Sequence, residues 1–187
     1  MDEKRFKKEI LQKEDNSLSP FATKNADAHR KVPIEHPWRG PFARDRDHIL
    51  YSGAFRRYIG KTQVIYNAAS FDEQLANRSI HTLQVSQIAR SIGKVLGLNL
   101  DLIEAIALGH DLGHTPFGHA GEDVLNRVHP DGFTHEAQSL RVVDYLEQGG
   151  LNLTWEVRDG IANHPWRGSP GTLEGRCVQL SDRIAYV

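Results

Sequence analysis

The stretch from Leu102 to Leu108 constrains the fold more than any other part of the chain. Leu102, Ile103, Ala105, Ile106, Ala107 and Leu108 make it an apolar helix, one to be buried rather than laid on a surface. Asp101 stands where a cap is expected, and Gly113 with Pro116 brings the helix to an end. That end carries His110 and Asp111. A buried helix terminus with an imidazole and a carboxylate side by side is costly unless something pairs with both. A divalent cation does so. Imidazole nitrogen and carboxylate oxygen suit Fe, Mn, Co, Ni or Zn, and a chain whose one cysteine is Cys177 lacks the thiolates of a closed structural zinc site.

Taken alone, the His-Asp pair has a plainer reading, a histidine satisfied at a helix C-terminus by the dipole. Two distant positions change the balance. His81 stands four residues before Val85 and seven before Ile88, on the core-facing stripe of a helix expected over residues 78–96. Asp182 falls among Val178, Ile184 and Ala185, where an acid is out of place unless paired. Two histidines and two aspartates bind one ion and leave room for water and substrate, as a catalytic site requires.

The rest of the chain is helical in period. Ile49, Leu50, Ala54, Phe55 and Tyr58 recur at three- and four-residue steps and predict a helix over residues 43–59. Val85, Ile88, Ile92 and Val95 form the stripe of the helix 78–96, with Gly97 as its stop. Further helices are expected over 118–128, 134–147, 154–164 (capped by Thr154, stopped by Pro165) and 173–187, with residues 61–71 as a connector. No alternating strand pattern or tandem repeat occurs, so the fold class is all-α.

Residues 1–40 read as a polar N-terminal extension, with the folded domain over 41–187. Lys4, Arg5, Lys7, Lys8, Lys13, Lys24, Arg30 and Lys31 are mixed with acids, and Pro20, Pro33, Pro37 and Pro41 break any long helix. Such an arm is a solvated tail, or a contact for a phosphate polymer such as single-stranded nucleic acid. With 23 basic and 24 acidic residues the net charge is −1, so no global basic field captures nucleic acid or anionic membrane. No apolar run is long enough for a membrane span and no apolar signal core opens the chain, which reads as cytoplasmic.

His81, His110-Asp111 and Asp182 match the H…HD…D pattern of the HD-domain metal-dependent phosphohydrolases, and the chain resembles one branch in particular. The run from Gly109 through His110, Asp111, His114, Phe117 and His119 to Glu122 is similar to that of the dGTPase-like deoxynucleoside triphosphate triphosphohydrolases. So are Ser52-Gly53-Ala54-Phe55-Arg56-Arg57 with Lys61-Thr62-Gln63-Val64, Gly132-Phe133-Thr134-His135-Glu136, and Gly150-Leu151-Asn152-Leu153-Thr154. The resemblance covers residues 44–187. It implies an HD-domain helical bundle holding one divalent ion (Mn, Fe, Co, Ni, Mg or Zn) on His81, His110, Asp111 and Asp182. It also implies hydrolysis of dNTPs, dGTP first, to deoxynucleoside and inorganic triphosphate, and a homo-oligomer. The family domain runs longer, so its C-terminal part is expected to be missing here.

The chemistry needs an acid for the leaving 5′-oxygen, and histidine titrates in the right range. His119 and Glu122, three apart at a helix start, share one face, and the family's acid pair aligns with them. The resemblance further assigns His114 and His135 to the scissile phosphate, Arg78 to the triphosphate and Tyr186 to the sugar. Arg46, Arg57, Lys61 and Arg183 are additional candidates for phosphate contact. His129 and His164 receive no role, and Trp38, Trp155 and Trp166 are expected to pack rather than stack on a base. The alternatives are another HD nucleotide phosphohydrolase, or a catalytically weak nucleotide- or nucleic-acid-binding module.

Overall fold

The computed structural model describes residues 3–34, 36, 38–61 and 78–186. The expected connector beyond Lys61, with the Thr62-Gln63-Val64 part of the motif, lies outside them. Nine α-helices are described: α1 (Glu3–Ser17), α2 (Pro41–Leu50), α3 (Gly53–Arg56), α4 (Arg78–Leu96), α5 (Leu100–Gly109), α6 (Gly118–Val128), α7 (His135–Arg141), α8 (Trp155–Asn163) and α9 (Leu173–Ala185). No strand occurs among the described residues beyond an isolated bridge between Arg30 and Thr154. The all-α fold read from the periodicity is the fold observed.

Helix α5 is the axis of the bundle. Its apolar residues Leu102, Ile103, Ala105, Ile106, Ala107 and Leu108 are all buried, and α2, α4, α8 and α9 pack around it. A helix apolar on every side is stable only with such a jacket, since full burial of each Leu or Ile contributes about 1.5–3 kcal/mol. Its cap is Asn99, whose side-chain oxygen accepts from the Leu102 amide at 3.2 Å, so Asp101 is a first-turn acid and not the cap. The helix ends at Gly109, with His110 as its C-cap still in helical conformation and Asp111 in the turn that follows.

Several helices are shorter than their periodicity predicts. The run 43–59 is broken at Ser52, whose hydroxyl accepts from the Phe55 amide at 3.1 Å and starts α3 as a new helix. The helix expected over 134–147 is α7 followed by a π-helical turn, Val142–Leu146, closed by the Glu147 amide on the Val142 carbonyl at 3.0 Å. Along α4 the buried stripe is Arg78, His81, Thr82, Val85, Ser86, Ala89 and Gly93. Val95, expected on that stripe, is 86% exposed, because ten residues past Val85 the helix has turned away from the core.

The first forty residues depart from the solvated arm expected of them. All four prolines lie beyond α1, so nothing interrupts that helix. Lys24 donates to the carbonyls of Asp15, Leu18 and Ser19 at 2.9–3.1 Å and so satisfies the C-terminal end of α1. Buried Glu174 of α9 accepts from the Thr23 amide and hydroxyl at 3.0 and 2.8 Å and from the Asn99 amide at 3.1 Å. Arg30 pairs with fully buried Asp45 at 2.8 Å. The other oxygen of Asp45 takes the amide and hydroxyl of Thr154 at 2.8 and 2.6 Å. Thr154 does precede α8, but its hydroxyl serves Asp45 rather than the helix it starts. Two of the basic residues ascribed to a free arm are thus part of the fold.

Candidate metal centre and active site

Six elements converge at one end of the bundle around a cavity of about 750 Å³. The first turn of α4 brings Arg78 and His81, the end of α5 brings His110 and Asp111, and α6 brings His119 and Glu122. His135 opens α7, His164 follows the last residue of α8, and α9 brings Asp182.

His81 Nε2 lies 2.8 Å from Asp182 Oδ1, and His110 Nε2 lies 3.6 Å from the same oxygen and 3.6 Å from Asp111 Oδ2. The His110 ring is fully buried. Its Nδ1 stands 2.7 Å from the Ala107 carbonyl, which can only accept, so Nδ1 carries a hydrogen and Nε2 is the nitrogen turned to the carboxylates, where it takes a proton or a metal ion. That Nε2 is buried without a hydrogen-bond partner among the described residues. An oriented imidazole with an orphaned nitrogen, facing two aspartates and a second imidazole, is the donor set a borderline divalent cation takes. Of the four residues expected to form a ligand set, His81, His110 and Asp182 bring atoms close enough to share one ion, whereas Asp111 stands beside them at 3.6 Å from His110 Nε2 and groups with His135 and His164.

The electrostatics agree. Burial works against charge on His110, but the Asp111 and Asp182 carboxylates outweigh it and raise its pKa to about 9. The same negative potential favours a metal ion at Nε2. Burial likewise disfavours the charged forms of Asp111 and Asp182. His110 and Arg78 nevertheless hold the first well below the usual carboxylate range, and the nearby His110 and His81 imidazoles do so for the second.

Across the cavity, His119 Nδ1 lies 3.2 Å from Glu122 Oε2, the pairing expected of residues three apart on one helix face. Glu122 is also shared. His135 donates its backbone amide at 2.8 Å and faces both carboxylate oxygens with Nδ1 at 2.9 Å. Although burial opposes ionisation, these His135 hydrogen bonds lower the Glu122 pKa to about 2. His114 stacks on His135 with ring centroids 4.6 Å apart. Burial, with nearby Arg78 and His135, drops the His114 pKa to about 3 and keeps its ring neutral at physiological pH.

The loop 110–117 between α5 and α6 allows this crowding. Ser139 takes the Gly113 amide at 2.9 Å and gives its own hydroxyl to the His110 carbonyl at 3.0 Å. A Cβ on Gly113 would lie 2.2 Å from the Ser139 backbone nitrogen, so only glycine lets the loop approach α7 this closely. Phe117 and Gly118 follow at φ 67° and 61°, two left-handed residues in succession that start α6 with His119 at the cavity mouth.

The substrate contacts expected from sequence fare unevenly. Arg78 reaches the cavity wall, but its guanidinium pairs with Asp111 and its side chain is almost fully buried. Tyr186 is half-exposed on the same wall. Lys61 donates to the His114 carbonyl at 2.7 Å and so braces the loop from behind. Arg183 lies over the Trp166 ring, 4.6 Å from its centroid, one layer out from the cavity. Arg46 and Arg57 are not brought to the cavity. Arg46 bonds Asp47, Asp101 and Glu104, tying α2 to the opposite end of α5, and Arg57 bonds Glu147 at 3.3 Å.

The three tryptophans do not pack as expected. Trp38, Trp155 and Trp166 are 58, 56 and 65% exposed, with Arg158 lying over Trp155 and Trp166 forming part of the cavity wall. His129 caps a turn, taking the Asp131 amide at 3.2 Å away from the cavity. His164, given no role from sequence, is in the cluster. It is buried, and Nε2 lies 3.1 Å from His135 Nε2 and 3.8 Å from Asp111 Oδ1. A signal for it existed: Val157, Ile161 and His164 share one stripe of α8, by the same spacing that marks His81.

The HD domain family model matches residues 78–187, a span that holds His81, His110, Asp111 and Asp182, and the chain belongs to that family. Among curated relatives it is 54% identical over 174 residues to a deoxyguanosinetriphosphate triphosphohydrolase-like protein of Caldanaerobacter subterraneus, covering 91% of this chain and 51% of that protein. Proteins of the same description from Desulfatibacillum aliphaticivorans and Clostridium tetani are 48% and 45% identical, covering 97% and 100% of this chain and 55% and 56% of theirs. The chain spans about half the length of the curated relatives it matches. None of its described helices is long and apolar enough to cross a membrane.

Proposed function

We propose that this chain carries the metal centre and acid pair of a cytoplasmic dNTP triphosphohydrolase, which converts a deoxynucleoside triphosphate, dGTP first, to deoxynucleoside and inorganic triphosphate. The observation that carries the reading is the His119–Glu122 pair standing across one cavity from the His81, His110, Asp111 and Asp182 cluster. The relatives, described as deoxyguanosinetriphosphate triphosphohydrolase-like, support dGTP as the first substrate to try.

When bound on His81, His110, Asp111 and Asp182, a divalent ion supplies Lewis acidity at the α-phosphate and lowers the pKa of a water. The remaining tasks fall to the protein. His119 Nδ1 is held by Glu122, so Nε2 is the atom that gives a proton to the departing 5′-oxygen. Glu122, kept ionised by His135, holds the His119 ring in place through that contact. Neutral His114 offers a hydrogen bond to a phosphoryl oxygen without a charge of its own. Tyr186, on the same wall, is the residue offered to the sugar.

The test is chromatography of the products formed by Mn²⁺-loaded protein from each of the four dNTPs. Triphosphate and deoxynucleoside are expected, and Asp111→Ala abolishes both. Release of orthophosphate alone, or turnover unaffected by Asp111→Ala, contradicts the reading and favours another HD phosphohydrolase.

A further inference from the structure

We propose that Arg167 grips the β- and γ-phosphates of the substrate, exchanging an ion pair with Glu136 for the phosphate oxygens. This rests on the reading of the cavity as a nucleoside triphosphate site.

The charge on the cavity wall calls for such a residue. Five carboxylates line the cavity against two guanidiniums, those of Arg78 and Arg167. Arg78 is buried and paired with Asp111. Lys61 is turned to the His114 carbonyl, and Arg183 lies against the Trp166 ring. Residues 62–77, outside the described ones, contain no lysine or arginine. Among the described residues Arg167 is therefore the one exposed cation on the wall, with its side chain 66% exposed. His114 and His119 serve the α-phosphate in the proposed function, and the two phosphates beyond it are left without a partner until Arg167 is counted.

The fold invests in the position of this residue. Gln179 of α9 turns its side-chain amide to the carbonyls of Asn163, Pro165 and Gly168 at 3.0, 2.8 and 3.1 Å. The Gly168 amide closes a turn on the Pro165 carbonyl at 2.7 Å. A Cβ on Gly168 would lie 2.4 Å from the Asn163 carbonyl oxygen, so the turn is drawn tight around Arg167. The backbone is pinned while the side chain reaches out.

The guanidinium meets Glu136, beside His135 at the start of α7, through Nη2. No other hydrogen bond involves it among the described residues, so Nε and Nη1 remain for phosphate oxygens. That fork matches two oxygens of a phosphate, which an ammonium does not. An exposed ion pair is weak, so exchanging Glu136 for a more highly charged partner costs little.

Calorimetric titration of the Mn²⁺-loaded chain with inorganic triphosphate, at fixed free Mn²⁺, tests the proposal without turnover. Arg167→Ala is expected to weaken binding about 10–100-fold, the range of a charge-assisted hydrogen-bonded pair. Arg167→Lys recovers only part of that loss. Glu136→Gln removes the competing carboxylate and should tighten binding about two- to fivefold, a gain that a poorly folded variant does not give. Arg176→Ala, exposed on α9 outside the cavity lining, is the control for general charge. An affinity within twofold of the unmodified chain in Arg167→Ala, or an equal fall in Arg176→Ala, overturns the proposal. In turnover, Arg167→Ala should raise the KM for dGTP by the factor seen in the titration, with kcat little changed. Orthophosphate alone from dNTPs, with triphosphate binding still lost in Arg167→Ala, overturns the triphosphohydrolase reading and leaves the Arg167 site standing. Triphosphate release with unaltered affinity in Arg167→Ala does the reverse.

Discussion

Glu122 holds His135 at three points: the backbone amide at 2.8 Å, and Nδ1 against each carboxylate oxygen at 2.9 Å. The same carboxylate meets His119 Nδ1 at 3.2 Å, so one acid orients two histidines on neighbouring helices. Glu122→Gln keeps the size and removes the charge. Its expected effect is a fall in kcat of about 10²-fold, the low end of what a supported general acid contributes, with some loss of melting temperature as the charged contact to His135 goes. Steady-state release of triphosphate by the Mn²⁺-loaded chain checks it, and an unchanged kcat would remove Glu122 from the acid pair.

Arg30 and Asp45 make a separate claim, on stability alone. Arg30→Ala leaves Asp45 buried with only its Thr154 bonds, and burial already raises the Asp45 pKa against the pull of Arg30. Breaking a buried pair from one side costs about 3–5 kcal/mol, and the surviving bonds put this case near the lower figure. Urea denaturation should show a midpoint shift of that size, with Mn²⁺ stoichiometry unchanged. A shift below about 1 kcal/mol would fit the solvated arm expected from sequence.

The histidines give the metal-free chain a stability maximum near neutrality. Burial lowers the pKa of His164 to about 4 and of His114 to about 3, so both stay neutral when folded but take a proton when unfolded below about pH 6.5. Their contribution is complete above that pH and is lost as pH falls from it toward the folded values. His110 runs the other way. Its pKa is raised to about 9, so its contribution is complete below about pH 6.5 and is lost as pH rises through 9. The chelated chain should therefore melt highest at about pH 6.5–7. Mn²⁺ loading should flatten the alkaline side, because the ion replaces the proton at His110 Nε2. A melting temperature rising steadily to pH 9 without metal would contradict this assignment.

The parts of the site that sequence exposes are those where a polar residue interrupts an apolar period. His81 does so four residues before Val85, His110 and Asp111 do so at the end of the all-apolar α5, and Asp182 does so beside Val178. His164 obeys the same rule after Val157 and Ile161, but a histidine beside a helix-stopping proline reads as a terminus. What periodicity hides is the polar, long-range bonding. Nothing near Thr23 in the chain announces Glu174, and nothing near Arg30 announces Asp45, so residues 18–30 look unattached until the fold joins them. The break at Ser52 is hidden for a related reason, since the apolar spacing runs straight through a residue whose hydroxyl starts a new helix.

The central claim is that imidazoles and carboxylates from α4, α5 and α9 meet on one ion, and crystals soaked in Mn²⁺ test it most directly. An anomalous-difference map at the manganese edge should place a peak about 2.0–2.3 Å from His81 Nε2, His110 Nε2 and an oxygen each of Asp111 and Asp182. No peak among those four side chains in a well-ordered, Mn²⁺-saturated crystal would contradict it.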